Sequence, residues 1–188
     1  SSESRINRLS EKSTGTWAVK SSDDKQATIA VTEKSGTREY VIALDPDFAS
    51  NRLVYMAYSK PHPTQQGATT LAVMRARWDG GAGLADVTDI FLAQPWYGAP
   101  PLPERCCGQG PAFGSYGGRV LFGPDGYLYV TSGDRNYGEM VPGRDNHFGK
   151  ILRLNPDGSA APGNPWAQVE GAVAEMWSTG HRNPLGLA

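Results

Sequence analysis

The sequence predicts an all-β chain built as part of a β-propeller, and three observations carry that prediction. Short β-branched and aromatic runs recur from residue 40 onward, each bounded by Pro, Asp, Gly or Asn. They fall into two sets of four that open alike. Gly 23 and Pro 14 among 188 residues, with no collagen period or low-complexity tract, are the surplus that many turns between short strands require.

The first set reads YVIALDPDF (40–48), RLVYMAYSK (52–60), TTLAVMRARWD (69–79) and ADVTDIFLAQP (85–95). The second reads GGRVLFGPDG (117–126), YLYVTSGD (127–134), GKILRLNPDG (149–158) and AVAEMWSTG (172–180). Each begins with an apolar strand, a Pro-Asp turn and a Tyr-containing apolar strand, so that Pro46 aligns with Pro124 as in a degenerate repeat. The Pro-Asp-Gly runs at 124–126 and 156–158 suit tight turns, because Pro fixes φ and Gly tolerates a positive one. Four antiparallel strands per repeat make a blade, and radial repetition hides the faces of such sheets.

Residues 1–39 are expected to hold leading strands of a neighbouring blade, TWAVK and TIAVT among them. The first blade and its loop then take 40–116, the second blade 117–180, and 181–188 start a third. A ring needs at least about four blades. The chain begins without Met and stops on GHRNPLGLA in mid-element, which together predict a piece of a longer protein. An eight-stranded, two-sheet sandwich fits the same strand count.

A formal net charge of −1 offers no basic surface for nucleic acid and no acidic tail. No run of 18 apolar residues is present to span a membrane, and the polar first fifteen residues lack the apolar region of a signal peptide. The two cysteines, Cys106 and Cys107, are adjacent in RCCGQGPAFG, a spacing that fits neither a zinc site nor a framework of disulfides. Two small thiols or a strained vicinal disulfide both remain open. The five Trp are scattered and read as core or loop anchors.

Three segments of the second set, GSYGGRVLFGPDGYLYVTSGDRN, NHFGKILRLNPDGSAAPGNPW and AEMWSTGHRNPLGLA, in this order and with these gaps, resemble the soluble pyrroloquinoline quinone (PQQ) dependent glucose and aldose dehydrogenases, the glucose/sorbosone dehydrogenase family. ALDPDFASNRLVYMAYS is similar to that family's opening blade. The resemblance implies a six-bladed propeller with the quinone at one mouth of the central channel. It also implies calcium, a sugar or alcohol substrate, and a periplasmic or secreted location. In such an enzyme hydride leaves the sugar C1 for the quinone and a lactone remains, while protein supplies orientation, a base and charge stabilisation.

Carried over position by position, the quinone-contacting Arg and Asn of the family correspond to Arg182 and Asn183, and the acid supporting the base to Asp134. The base itself, a His four positions before the Arg matching Arg119, is replaced by Ser115. The place of a quinone-contacting Gln falls near Gly36. The family's calcium ligands and its other basic contacts belong to later blades. His62 reads as a surface loop residue, and His181 as facing the blade interior if Arg182 faces the cofactor. His147 reads as structural, with the sharper idea that it reaches the mouth and replaces the base. Asp134 has a plain reading as a turn residue, and Arg182 with Asn183 as a blade-to-blade crossing. A non-catalytic extracellular propeller that binds carbohydrate or protein is the alternative function. A calcium-dependent lactonase would need several converging carboxylates, for which Asp134 is the only candidate.

Overall fold

The computed structural model describes residues 16–22, 26–33, 36–81, 83–99 and 114–187; Cys106 and Cys107 lie outside them. Among the described residues ten strands form two antiparallel sheets in chain order. The first holds β1 (Thr16–Ser22), β2 (Gln26–Glu33), β3 (Gly36–Leu44), β4 (Leu53–Pro61), β5 (Thr69–Trp78) and β6 (Leu84–Leu92). The second holds β7 (Gly117–Phe122), β8 (Leu128–Ser132), β9 (Lys150–Leu154) and β10 (Met176–Thr179). Among the described residues the helical segments are one turn each, α1 (Phe48–Asn51) and a 3-10 turn at Gly138–Met140.

Alternation of side chains along each strand explains how the sheets stack. Ala43, Tyr55, Leu71, Val73 and Phe91 point from the first sheet toward Val120, Phe122, Leu128, Val130, Leu152 and Leu154 of the second, and all are buried. Tyr55 meets Phe122 edge to face with ring centres 5.0 Å apart. The intervening residues of the first sheet, among them Ile42, Val54, Met56, Met74 and Ala76, form a second buried cluster on its other face. A sheet buried on both faces is what an internal blade of a propeller needs.

Both predicted sets of four are present, the second with shorter ends and the first with β3 starting earlier, at Gly36. β10 covers 176–179 alone: the Val173 N–H turns away to the Arg144 carbonyl, although the Glu175 carbonyl still accepts the Arg153 N–H of β9. The leading strands differ from expectation. Instead of joining a neighbouring blade, β1 and β2 continue the first sheet, with β2 paired to β3 in unbroken register from Glu33–Gly36 to Gln26–Ala43. β3 pairs with β4 only through Ala43 and Leu44, so the first blade proper begins where that short ladder starts.

The meander gives the two sheets two common ends. Strands β4, β6, β8 and β10 finish, and β5, β7 and β9 begin, at the mouth end. The Pro-Asp segments lie at the opposite, turn end. There Asp45 accepts hydrogen bonds from the Asn51 side chain (2.8 Å) and the Tyr55 hydroxyl (2.9 Å). Asp125 correspondingly accepts from the Tyr129 hydroxyl and Arg153 Nε, both at 2.9 Å.

Candidate active site

Three sequence-distant segments meet at the mouth end: 114–119 leading into β7, 132–137 after β8, and 181–185 after β10. Backbone donors do most of the joining. The Asp134 N–H donates to the Arg182 carbonyl (2.7 Å), the Arg135 N–H to the Ser115 carbonyl (3.1 Å) and the Gly133 N–H to the Tyr116 carbonyl (3.0 Å). The Gly117 N–H donates to Asn183 Oδ1 at 2.9 Å, and Arg119 Nε to the Leu185 carbonyl at 3.1 Å. Ser115, Asp134, Arg182 and Asn183 are thereby gathered into one patch.

Two glycines make this convergence possible. A Cβ on Gly133 would run into the Ser115 carbonyl, and one on Gly149 into the His181 carbonyl. The Gly of SGDRN and the Gly of FGK therefore leave room for the crossing segments, which explains why these motifs contain glycine where a strand would prefer a branched residue.

Asp134 is buried at 5% exposure, and its Oδ1 accepts the Asn136 N–H at 2.9 Å. This is the turn arrangement its position also suggested, here with Asp134's own N–H holding the next segment. Arg182 is exposed, and its guanidinium has no hydrogen-bond or ion-pair partner among the described residues. Asn183 spends its side-chain oxygen on Gly117 and leaves its amide hydrogens facing outward as donors. Ser115 adopts a left-handed backbone, φ 54, as do Arg135 (φ 52) and Asn136 (φ 61). Such residues are uncommon and concentrate where surroundings hold the chain in place.

The histidines are elsewhere engaged. His147 is buried, packs edge-on against Phe91 and accepts the Gln94 N–H through Nδ1 (2.8 Å), with Nε2 3.4 Å from Glu175. It joins the two sheets at the mouth end, buried and with both ring nitrogens engaged, which suits the structural reading of this residue. The bond to His147 is the main reason the Glu175 carboxyl sits below its usual range. His181 is half-buried against Ser178 (2.9 Å), whereas Arg182 is exposed. His62 shapes its own loop by accepting the Thr64 and Gln65 N–H groups and meets Trp96 edge to face. Gly36 lies at the β2–β3 connection, paired with Glu33.

Two buried cations near the mouth escaped sequence reasoning. Lys150 is fully buried and donates to the Val141 and Phe148 carbonyls (2.8 and 2.7 Å); burial pulls its amine down to about 8, with Asp145 partly opposing. Arg135 is buried beside Asp134, among Tyr97 and Tyr116. Neither had a signal beyond its place in FGK and GDRN, since their partners are distant in sequence. Among the described residues no group of three or more His, Cys, Asp or Glu converges in a way that could hold a metal, and no helix is long and apolar enough to cross a membrane.

Two stacked antiparallel blades with polar segments gathered at one end define a partial β-propeller with a candidate mouth site. The chain belongs to the glucose/sorbosone dehydrogenase family, whose model matches residues 9–188. It is 31% identical over 147 residues to the aldose sugar dehydrogenase YliI of Escherichia coli, covering 78% of this chain and 36% of that protein. It is 39% identical over 167 residues to quinoprotein glucose dehydrogenase B of Acinetobacter calcoaceticus, covering 78% and 32%. The chain thus spans about a third of the length of these curated relatives. Among solved structures, a glucose dehydrogenase superposes with a TM-score of 0.66 at 26% identity, over 90% of this chain and 56% of that one. The PQQ-bound aldose sugar dehydrogenase of Streptomyces coelicolor shares the fold, with a TM-score of 0.56 at 23% identity over 92% and 56%. These likenesses favour the propeller over the sandwich.

Proposed function

We propose that the full-length protein is a PQQ-dependent sugar oxidoreductase whose quinone is held at this mouth by Arg182 and Asn183. The observation that carries the reading is the guanidinium of Arg182, without a partner among the described residues, beside the exposed Asn183, on a segment fixed from both sides by Asp134 and Gly117. PQQ presents carboxylates and quinone oxygens, all acceptors and mostly anionic, so a planar cation and an amide donor suit it. When bound, the quinone supplies the acceptor for the hydride leaving the sugar C1 as the C1 hydroxyl loses its proton and a lactone forms.

Arg182 neutralises negative charge at the acceptor, and Asn183 orients it. Ser115 can hold the sugar hydroxyl by a hydrogen bond, but it cannot accept the C1 hydroxyl's proton at neutral pH, which then passes to water. Relative to a His at the same point, that costs about 10²–10⁴ in rate. Asp134 holds the 181–183 segment through its backbone and has no imidazole here to support. The described residues do not fit a calcium cage, so no step is assigned to that ion. A periplasmic or secreted location follows from the same reading.

The test is reconstitution of the full-length protein with PQQ and calcium, followed by dye reduction with aldoses and alcohols. The reading expects a spectral shift of the quinone on binding and slow, aldose-dependent dye reduction. Absence of both sinks it, and leaves the carbohydrate- or protein-binding propeller.

A further inference from the structure

We propose that Arg135 is a positioning residue of the mouth: it clamps the loop 114–117, and with it Ser115, against the first sheet. Its kinetic consequence rests on the sugar-oxidising reading above, whereas its structural consequence stands on geometry alone.

Arg135 is 3% exposed. Its Nε donates to the Gly114 carbonyl at 3.1 Å, its backbone N–H to the Ser115 carbonyl at 3.1 Å, and its guanidinium carbon lies 3.4 Å from the centre of the Tyr116 ring. One residue therefore grips the peptide before Ser115, the carbonyl of Ser115 and the ring after it. The opposite side of the guanidinium reaches the first sheet, with Thr69 Oγ1 at 3.3 Å and the Tyr97 ring centre at 4.3 Å. That wall is firm, because Thr69 and Tyr97 exchange both backbone hydrogen bonds, at 2.9 and 2.8 Å. The Tyr116 hydroxyl shares the anchorage through Thr69 (2.6 Å) and Ser59 (2.7 Å).

The clamp explains the local backbone. Left-handed residues other than Gly persist only where neighbours over-determine them, and Ser115 is held in that state from both sides by Arg135. The planar fork and flat faces of Arg supply the bond to the Gly114 carbonyl, the bond to the Thr69 hydroxyl and the two ring contacts together. The compact ammonium of Lys cannot.

The experiment uses the full-length protein, with Arg135→Met, Arg135→Lys and Thr69→Val variants. Amide hydrogen exchange is followed in the 114–118 peptide and in the β8–β9 core, together with PQQ affinity, kcat and KM. For Arg135→Met the expected result is exchange at least tenfold faster in 114–118 at unchanged core rates. Its kcat should fall at least tenfold, with KM and PQQ affinity within about threefold. Arg135→Lys should fail to rescue, and Thr69→Val, which removes one arm of the clamp, should fall between. If Arg135→Met does not fold, Thr69→Val decides alone. Unchanged exchange at 114–118, or acceleration spread evenly through the core, overturns the proposal. A wild-type protein that reduces no dye refutes the sugar-oxidising reading instead, and the exchange data still decide the clamp.

Discussion

The two ends of the same strands are built on different terms. At the turn end polar side chains satisfy one another: Asp45 takes Tyr55 and Asn51, and Asp125 takes Tyr129 and Arg153. At the mouth end three non-glycine residues hold left-handed backbones, three chain segments are tied mainly through backbone groups, and Arg182 projects without a partner among the described residues. Left-handed residues occur at the turn end as well, but singly, with Arg52 closing α1 and Asp86 within β6. Satisfied polar groups contribute stability, whereas strained backbone and uncommitted donors mark a place kept ready for a ligand. Changes at the mouth should therefore alter chemistry, and changes at the turn end stability alone.

The largest effect is expected from Arg182→Ala. Removing a preorganised cation from an acceptor site costs about 10²–10³ in rate. Because the side chain is exposed and bonded to nothing described, the urea midpoint should stay at the wild-type value. A parallel loss of folding stability would place Arg182 in the architecture instead of the site.

Lys150 lies beneath the mouth and tests its interior. An ordinary lysine titrates near 10.5, and burial lowers this one to about 8. Between those values the unfolded chain holds a proton that the folded one has released, so stability should rise as pH climbs from about 8 toward 10.5. The neutral amine can still donate to Val141 and Phe148. Urea midpoints at pH 7.5 and 9.5 should show this gain in the wild type and not in Lys150→Met; a flat profile in the wild type would contradict the buried amine.

At the turn end, Asp125→Asn should cost at most about 1 kcal/mol, the scale of a partly exposed ion pair. Burial works against the Asp125 carboxylate, but hydrogen bonds from Arg153, Tyr129 and the Tyr127 N–H hold its carboxyl below the ordinary range. The stability it contributes is present above the usual carboxylate pKa and is lost as pH falls through its lowered one. Denaturation between pH 6 and pH 3 should show that loss in the wild type and little of it in the variant, with quinone affinity equal in both.

Sequence pattern exposed the strands well, because alternation and Pro-Asp-Gly turns are local signals. It placed both sets of four, whereas the candidate mouth residues came from the family resemblance. It misjudged β1 and β2, since nothing local distinguishes a strand that joins the next blade from one that folds back on its own sheet. The four transferred site positions do converge, since each sits at the mouth end of a strand whose register the apolar pattern sets. Arg135 stayed hidden because its value comes from Thr69 and Tyr97, far away in sequence and joined to it only by the stacking of the two sheets. Cys106 and Cys107 fall outside the described residues.

The central claim, that a quinone mouth has Ser where its relatives' base would stand, is met most directly by Ser115→His in the full-length protein. The backbone permits it, because His tolerates left-handed conformations better than most residues. The measurement is kcat for aldose-dependent dye reduction across pH 5–9, with PQQ affinity followed alongside. The account predicts a gain of about 10²-fold or more that appears as the new imidazole loses its proton, at unchanged PQQ affinity. An unaltered or lower kcat in a variant that folds and binds PQQ normally would contradict it.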